Sequence, residues 1–196
     1  MASNGVPALH ARASEDLRFI RDAMTRSAAF TAVPGKGGVL MGLAGLAGAA
    51  AASLQGSRQE WLAAWLLAAL VAVAVGALSI ARKARTSPVP PPRGAAQRFA
   101  RALLPPLAAG AVLTAVLARL GAYDVLPGLW LLLYGVAILA AGAHSVPVVP
   151  AYGAVVFALG LAALALPAAF GDVLLAAGFG LGHVVAGAVI ARRHGG

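Results

Sequence analysis

Apolar and polar positions do not alternate along this chain; they fall into blocks. Six apolar blocks, at 37–54, 61–81, 103–120, 126–143, 148–166 and 173–191, follow one another between short polar joins. Each is close to the ~20 residues that an α-helix needs to cross a hydrocarbon core of ~30 Å. A half-buried strand would alternate every second residue, and a soluble helix would carry one apolar stripe; neither pattern describes these blocks. The pattern predicts an all-α polytopic membrane protein of six transmembrane helices arranged as three hairpins.

The same pattern divides the chain. Residues 1–36 form a charged leader, 37–81 the first hairpin, 82–102 a linker, 103–143 the second hairpin, and 144–196 the third hairpin with a basic terminus. In the leader, the segment after Ser14 reads as an amphipathic helix, with Leu17, Ile20 and Met24 on one side and Arg18, Asp22 and Arg26 at i,i+4 spacing. It is expected to lie along the membrane surface or against the bundle. The linker combines Pro88, Pro90, Pro91 and Pro92 with six basic residues. Proline fixes φ and removes donors, so a stiff, extended spacer is expected.

Composition agrees: 61% of the residues are hydrophobic and 11% charged, with a mean hydropathy of +0.87, far from soluble averages. The net charge of +9 would suit nucleic acid until its distribution is followed. All Lys and Arg except Arg58 and Arg119 lie in the first 36 residues, between Arg82 and Arg101, or at Arg192 and Arg193. The other joins carry Glu60, Asp124 and Asp172, with Trp61, Trp65, Trp130, Tyr123 and Phe170 near them. Basic loops mark the cytoplasmic side, and aromatic rings prefer the interface. The expectation is therefore a bacterial inner-membrane protein with both termini cytoplasmic and no nucleic-acid partner. Arg82, Lys83, Arg85, Arg192 and Arg193 are expected to meet anionic lipid headgroups, and Arg119 to pair with Asp124. Without cysteine there is no disulfide, thiolate nucleophile or cysteine metal site.

An internal repeat is also legible. VPGKGGVLMGL from Val33 aligns without gaps with VPAYGAVVFAL from Val149, and the spans that follow end in IARK from Ile80 and IARR from Ile190. The middle pair fits more loosely, Gly110 matching Gly153 and Gly135 matching Gly182. Spans one, three and five would then run the same way, as parallel repeats related about the membrane normal. In these spans, and above all in WLLLYGVAILAAG from Trp130, the chain resembles the bacterial acid-resistance membrane protein family, whose six spans are built of two-helix repeats. It is similar to small six-span bacterial proteins generally. The resemblance leaves out the leader and the linker, implies a stress-linked membrane role, and brings no catalytic residue.

Chemistry concentrates at one histidine. His183 lies about half-way along the last block, and an ionisable group at that depth is costly enough to be a site candidate. Ala176, Gly180 and Gly187 share its helical face, with Gly178 and Gly182 in a neighbouring row, so the ring points into a packing seam of small residues rather than into lipid. Thr114 and Tyr134 fall at similar depth and are its expected partners. A neutral, hydrogen-bonded packing role and a proton-responsive role are both open to the histidine. His144 lies ~14 Å away at helical rise, too far for a paired haem site within one chain. No paired carboxylates, serine with a base, or metal cluster stands out, so no catalytic residue, metal or cofactor is expected. The leading expectation is a non-enzymatic, self-associating structural or stress-response component. The alternatives are a small channel or transporter using His183, Tyr134 and Thr114, and a binder of lipid or another hydrophobic ligand in an apolar crevice between hairpins.

Overall fold

The computed structural model describes residues 15–17, 19, 33–86, 93–143 and 145–194. Five spans are single helices: α1 (Gly35–Ala52), α2 (Arg58–Thr86), α3 (Arg93–Arg119), α4 (Leu126–Gly142) and α5 (Val148–Ala165). The last is composite: α6 (Gly171–Leu175), a π-helical segment (Ala176–Gly182) and α7 (His183–His194) follow without a break. Six stretches are thus long and apolar enough to cross a membrane, and no strand occurs among the described residues. Of the amphipathic leader, residues 15–17 and 19 are helical; Ile20, Met24 and the rest of that expectation lie outside the described residues.

The helix ends follow local chemistry. Ser57 caps α2 through a reciprocal box with Glu60: the Glu60 amide donates to Ser57 Oγ at 3.2 Å, and Ser57 Oγ donates to the Glu60 carboxylate at 2.8 Å. At the end of α3, Gly121 takes φ +74°. The amides of Ala122 and Gly121 then return to the carbonyls of Leu117 and Ala118, the paired bonds of a glycine C-cap.

The expected extended spacer is corrected. α2 runs on through Arg82, Lys83 and Arg85 to Thr86, and α3 starts at Arg93, so most of 82–102 is helix and not open chain. Alanine and arginine are good helix formers, and the Ser87-Pro88 step opposes continuation. The helix restarts directly after Pro92, where the ring costs no intrahelical bond. Pro88 to Pro92 themselves lie outside the described residues. Pro105 and Pro106 stand inside α3 and remove two donors from its ladder.

The spans pack in the order α2, α1, last span, α5, α4, α3. α1 with α2 and α3 with α4 are packed hairpins, whereas α5 packs most broadly on α4, and the last span on α1. Two antiparallel glycine seams explain those choices. Along α1, Gly35, Gly38, Gly42 and Gly45 face the last span; a methyl on Gly42 would come 2.6 Å from the Gly180 carbonyl oxygen and the Val184 amide. Along α4, Gly128, Gly135 and Gly142 face α5, and a methyl on Gly135 would come 2.6 Å from the Phe157 amide. Heptad spacing keeps such residues on one line, and without side chains the backbones close up.

The outer spans are different. In its most apolar 18-residue window α3 has 6% of its residues buried and α2 11%, against 50% for the fourth span. Their exposed faces carry Leu66, Leu67, Leu70, Leu104 and Val112, the side-chain chemistry of a surface made for hydrocarbon.

Candidate functional site

The residue order of the last span fixes the site. The π-helical turns Ala176–Gly182 widen the helix immediately before His183, a geometry that recurs at functional positions. His183 is 9% exposed and lies between α4 and α5, where two tyrosines meet it. Tyr134 Oη lies 2.7 Å from Nε2, and Tyr152 Oη lies 2.7 Å from Nδ1. Nδ1 is also 2.9 Å from the carbonyl oxygen of Phe179, and Tyr152 Oη donates to the carbonyl of Gly178 at 2.9 Å. Phe179 packs edge-on against the Tyr134 ring, with centroids 5.2 Å apart.

Counting protons assigns the tautomer. The two carbonyls can only accept. If Nδ1 carries the imidazole proton, that proton is shared between Tyr152 Oη at 2.7 Å and the Phe179 carbonyl at 2.9 Å, Tyr152 donates to Gly178, and Tyr134 donates to the bare Nε2. Each of the four contacts then has a donor and an acceptor. The other tautomer sets a bare Nδ1 against the Phe179 carbonyl oxygen, gives Tyr152 one proton for two acceptors, and leaves Nε2–H donating to Tyr134, whose own proton then has no partner within the cluster. Of the two neutral tautomers, the first gives each polar group of the cluster a partner, and no buried side-chain polar atom among the described residues lacks one.

Of the residues expected at this site, the structure brings Tyr134 to His183 but not Thr114. Thr114 Oγ1 donates to the Gly110 carbonyl at 2.7 Å and accepts from Trp130 Nε1 at 2.8 Å. A helical threonine bonds readily to the carbonyl one turn back, and the partly buried Trp130 indole needs an acceptor, so the Thr114 hydroxyl is already committed. Tyr152 was not anticipated. Its place five residues into α5 suggests an interfacial ring, yet its long side chain reaches inward to His183.

The small-residue seam is likewise divided. Gly180 and Gly187 face α1, where added methyls would meet Leu46 and the Val39 amide. Gly178 faces Leu131 of α4, and Gly182 faces Tyr152 of α5, with Ala176 partly buried in the same segment. A span lying between neighbours on two sides spreads its glycines over both, and the π turns shift their angular spacing away from the α-helical value.

Above the Tyr134–His183 pair lies a cavity of about 250 Å³. Leu66, Ala69 and Val73 of α2 form one wall and Pro106 and Ala111 of α3 the other, with Tyr134, Phe179 and His183 at the floor and Thr114 at its edge. No carboxylate or cationic side chain lines it. At one end of the bundle, Trp61 and Trp65 both donate to Asp172 Oδ1, at 2.8 and 3.1 Å, tying α2 to the last span. Trp61 also stacks on Trp130, with centroids 5.7 Å apart and planes 4° apart. Asp124, expected to pair with Arg119, instead pairs with Arg58 at 2.7 Å, since the start of α2 lies beside the α3–α4 turn. No group of residues able to hold a metal ion occurs among the described residues. No protein-family model matches the chain, and no curated protein or solved structure is detectably similar to it.

Proposed function

We propose that this multi-pass membrane protein binds a hydrophobic ligand, taken from the bilayer into the crevice between α2 and α3. The observation that carries the reading is the crevice itself: an apolar cavity between two spans that pack little on one another, with a hydrogen-bonded polar pair at its floor. Binding sites for small molecules usually combine apolar walls with a few fixed polar groups. The cavity falls below the ~300–1,000 Å³ that enclose a drug-sized ligand. It suits one segment, a ring or a short stretch of acyl or isoprenoid chain, while the remainder of the molecule stays in the lipid. Self-association, the expectation from sequence, calls for no such cavity. The proposed activity is binding rather than catalysis, because the floor's polar groups are engaged with each other.

The membrane proposed is the bacterial inner membrane, with both termini cytoplasmic. The basic ends at Arg82, Lys83, Arg85, Arg192 and Arg193 then lie against anionic headgroups, and Glu60, Asp124 and Asp172 face outward.

Trp65 and Trp130 line the crevice and report its occupancy. A ring-brominated hydrophobic probe titrated into protein in lipid nanodiscs is expected to quench tryptophan fluorescence saturably. Ala111→Phe fills the space from α3 and is expected to remove the saturable component while leaving the unfolding transition in place. Equal quenching of the two proteins would overturn the reading.

A further inference from the structure

We propose, resting on the ligand-binding reading above, that the ligand presents a hydroxyl group to the crevice floor and donates its proton to Tyr134 Oη. The argument is the direction of the hydrogen bonds. With the imidazole proton on Nδ1, where it meets the Phe179 carbonyl and a Tyr152 oxygen whose own proton is on Gly178, Tyr134 gives its only proton to Nε2. The phenol oxygen of Tyr134 keeps its lone pairs, and none of the described hydrogen bonds is donated to it. Tyr134 lines the cavity together with His183. The floor therefore offers an acceptor and no spare donor.

Other chemistries fit less well. Thr114, the other hydroxyl at the cavity, has its proton on the Gly110 carbonyl and accepts the Trp130 indole. A carbonyl or ether ligand needs a donor, and Tyr134 supplies one only by withdrawing from Nε2. Nε2 then loses the one donor it has and is left as a buried, unsatisfied acceptor. A charged head would enter a cavity with no opposite charge to meet it. What remains is an alcohol, phenol or hydroquinone carried on an apolar body.

The test compares a ring-brominated long-chain alkylphenol with its methyl ether, which has the same shape and no proton to donate. Binding to the full chain is read by tryptophan quenching in zwitterionic nanodiscs. The phenol is expected to bind about 2- to 12-fold more tightly, the ratio set by one net hydrogen bond. Tyr134→Phe is expected to bring that ratio to one. Thr114→Val is expected to leave the ratio as it was, and loss of preference there would move the acceptor to Thr114 and overturn the proposal. Equal binding of phenol and ether to the unaltered chain, or tighter binding of the ether, would also overturn it while leaving the crevice reading intact. Failure of both probes to give a saturable signal would instead remove the crevice reading beneath it.

Discussion

The α1–last-span seam and the α2–α3 gap are both built from Ala-, Leu- and Val-rich helices, yet one is closed and the other open. The difference is where glycine stands. α1 presents Gly35, Gly38, Gly42 and Gly45 in a line, and the last span answers with Gly180 and Gly187, so backbone meets backbone. α2 has Gly76 within its apolar part and α3 has Gly110; elsewhere alanine and leucine side chains occupy both surfaces. In hydrocarbon there is little driving force to bury leucine against leucine, because lipid solvates it equally well. Close packing then depends on small residues, and their scarcity leaves a space.

Four substitutions test that contrast. The largest effect is expected for Gly42→Leu, whose first carbon would already crowd the Gly180 carbonyl and the Val184 amide. Backbone cannot move aside as a side chain can, so a loss of about 3 kcal/mol is expected, at the upper end of overpacking costs, read from reversible unfolding in bicelles. Asp172→Ala comes next. It strips the shared acceptor from Trp61 and Trp65, of which Trp65 is 3% exposed, and releases one end of the wall that α2 gives the crevice. A loss of about 2 kcal/mol is expected, with a red-shift in tryptophan emission as the indoles meet water. The smallest effect belongs to Gly110→Ala. The new methyl would lie 3.5 Å from Leu133 Cδ1, an ordinary contact, and alanine is the better helix former. A gain of about 0.5 kcal/mol is expected, whereas the same change at Gly135 is expected to destabilise. Equal effects at Gly110 and Gly135 would break the comparison.

Much of this architecture could be read from residues alone. The six spans were legible because blocks of that length have few other uses, and the inward position of His183 because a polar ring is costly to leave in lipid. The site was only partly so. Thr114 looked available since its depth was right, but depth does not reveal that its hydroxyl is taken by Gly110 and Trp130. Tyr152 lies five residues into its span, away from the depth of His183 along the chain, and only the reach of its side chain brings the hydroxyl to Nδ1. The helical ends of α2 and α3 were masked by the four prolines between them, whose influence is confined to a few residues. Nothing in AAGFGLG distinguishes a π-helix from an α-helix, nor shows that the Gly178 carbonyl accepts from Tyr152 of a neighbouring helix.

Those wide turns from Ala176 to Gly182 gear the two halves of the last span together. Remove one residue from them and the remaining helix would rewind by about 100°. Gly187 would swing off α1 and the imidazole off both tyrosines in a single motion. A lone deletion in a stretch of glycine and alanine, touching no group with any chemistry of its own, would therefore dismantle a seam and a hydrogen-bond cluster at once.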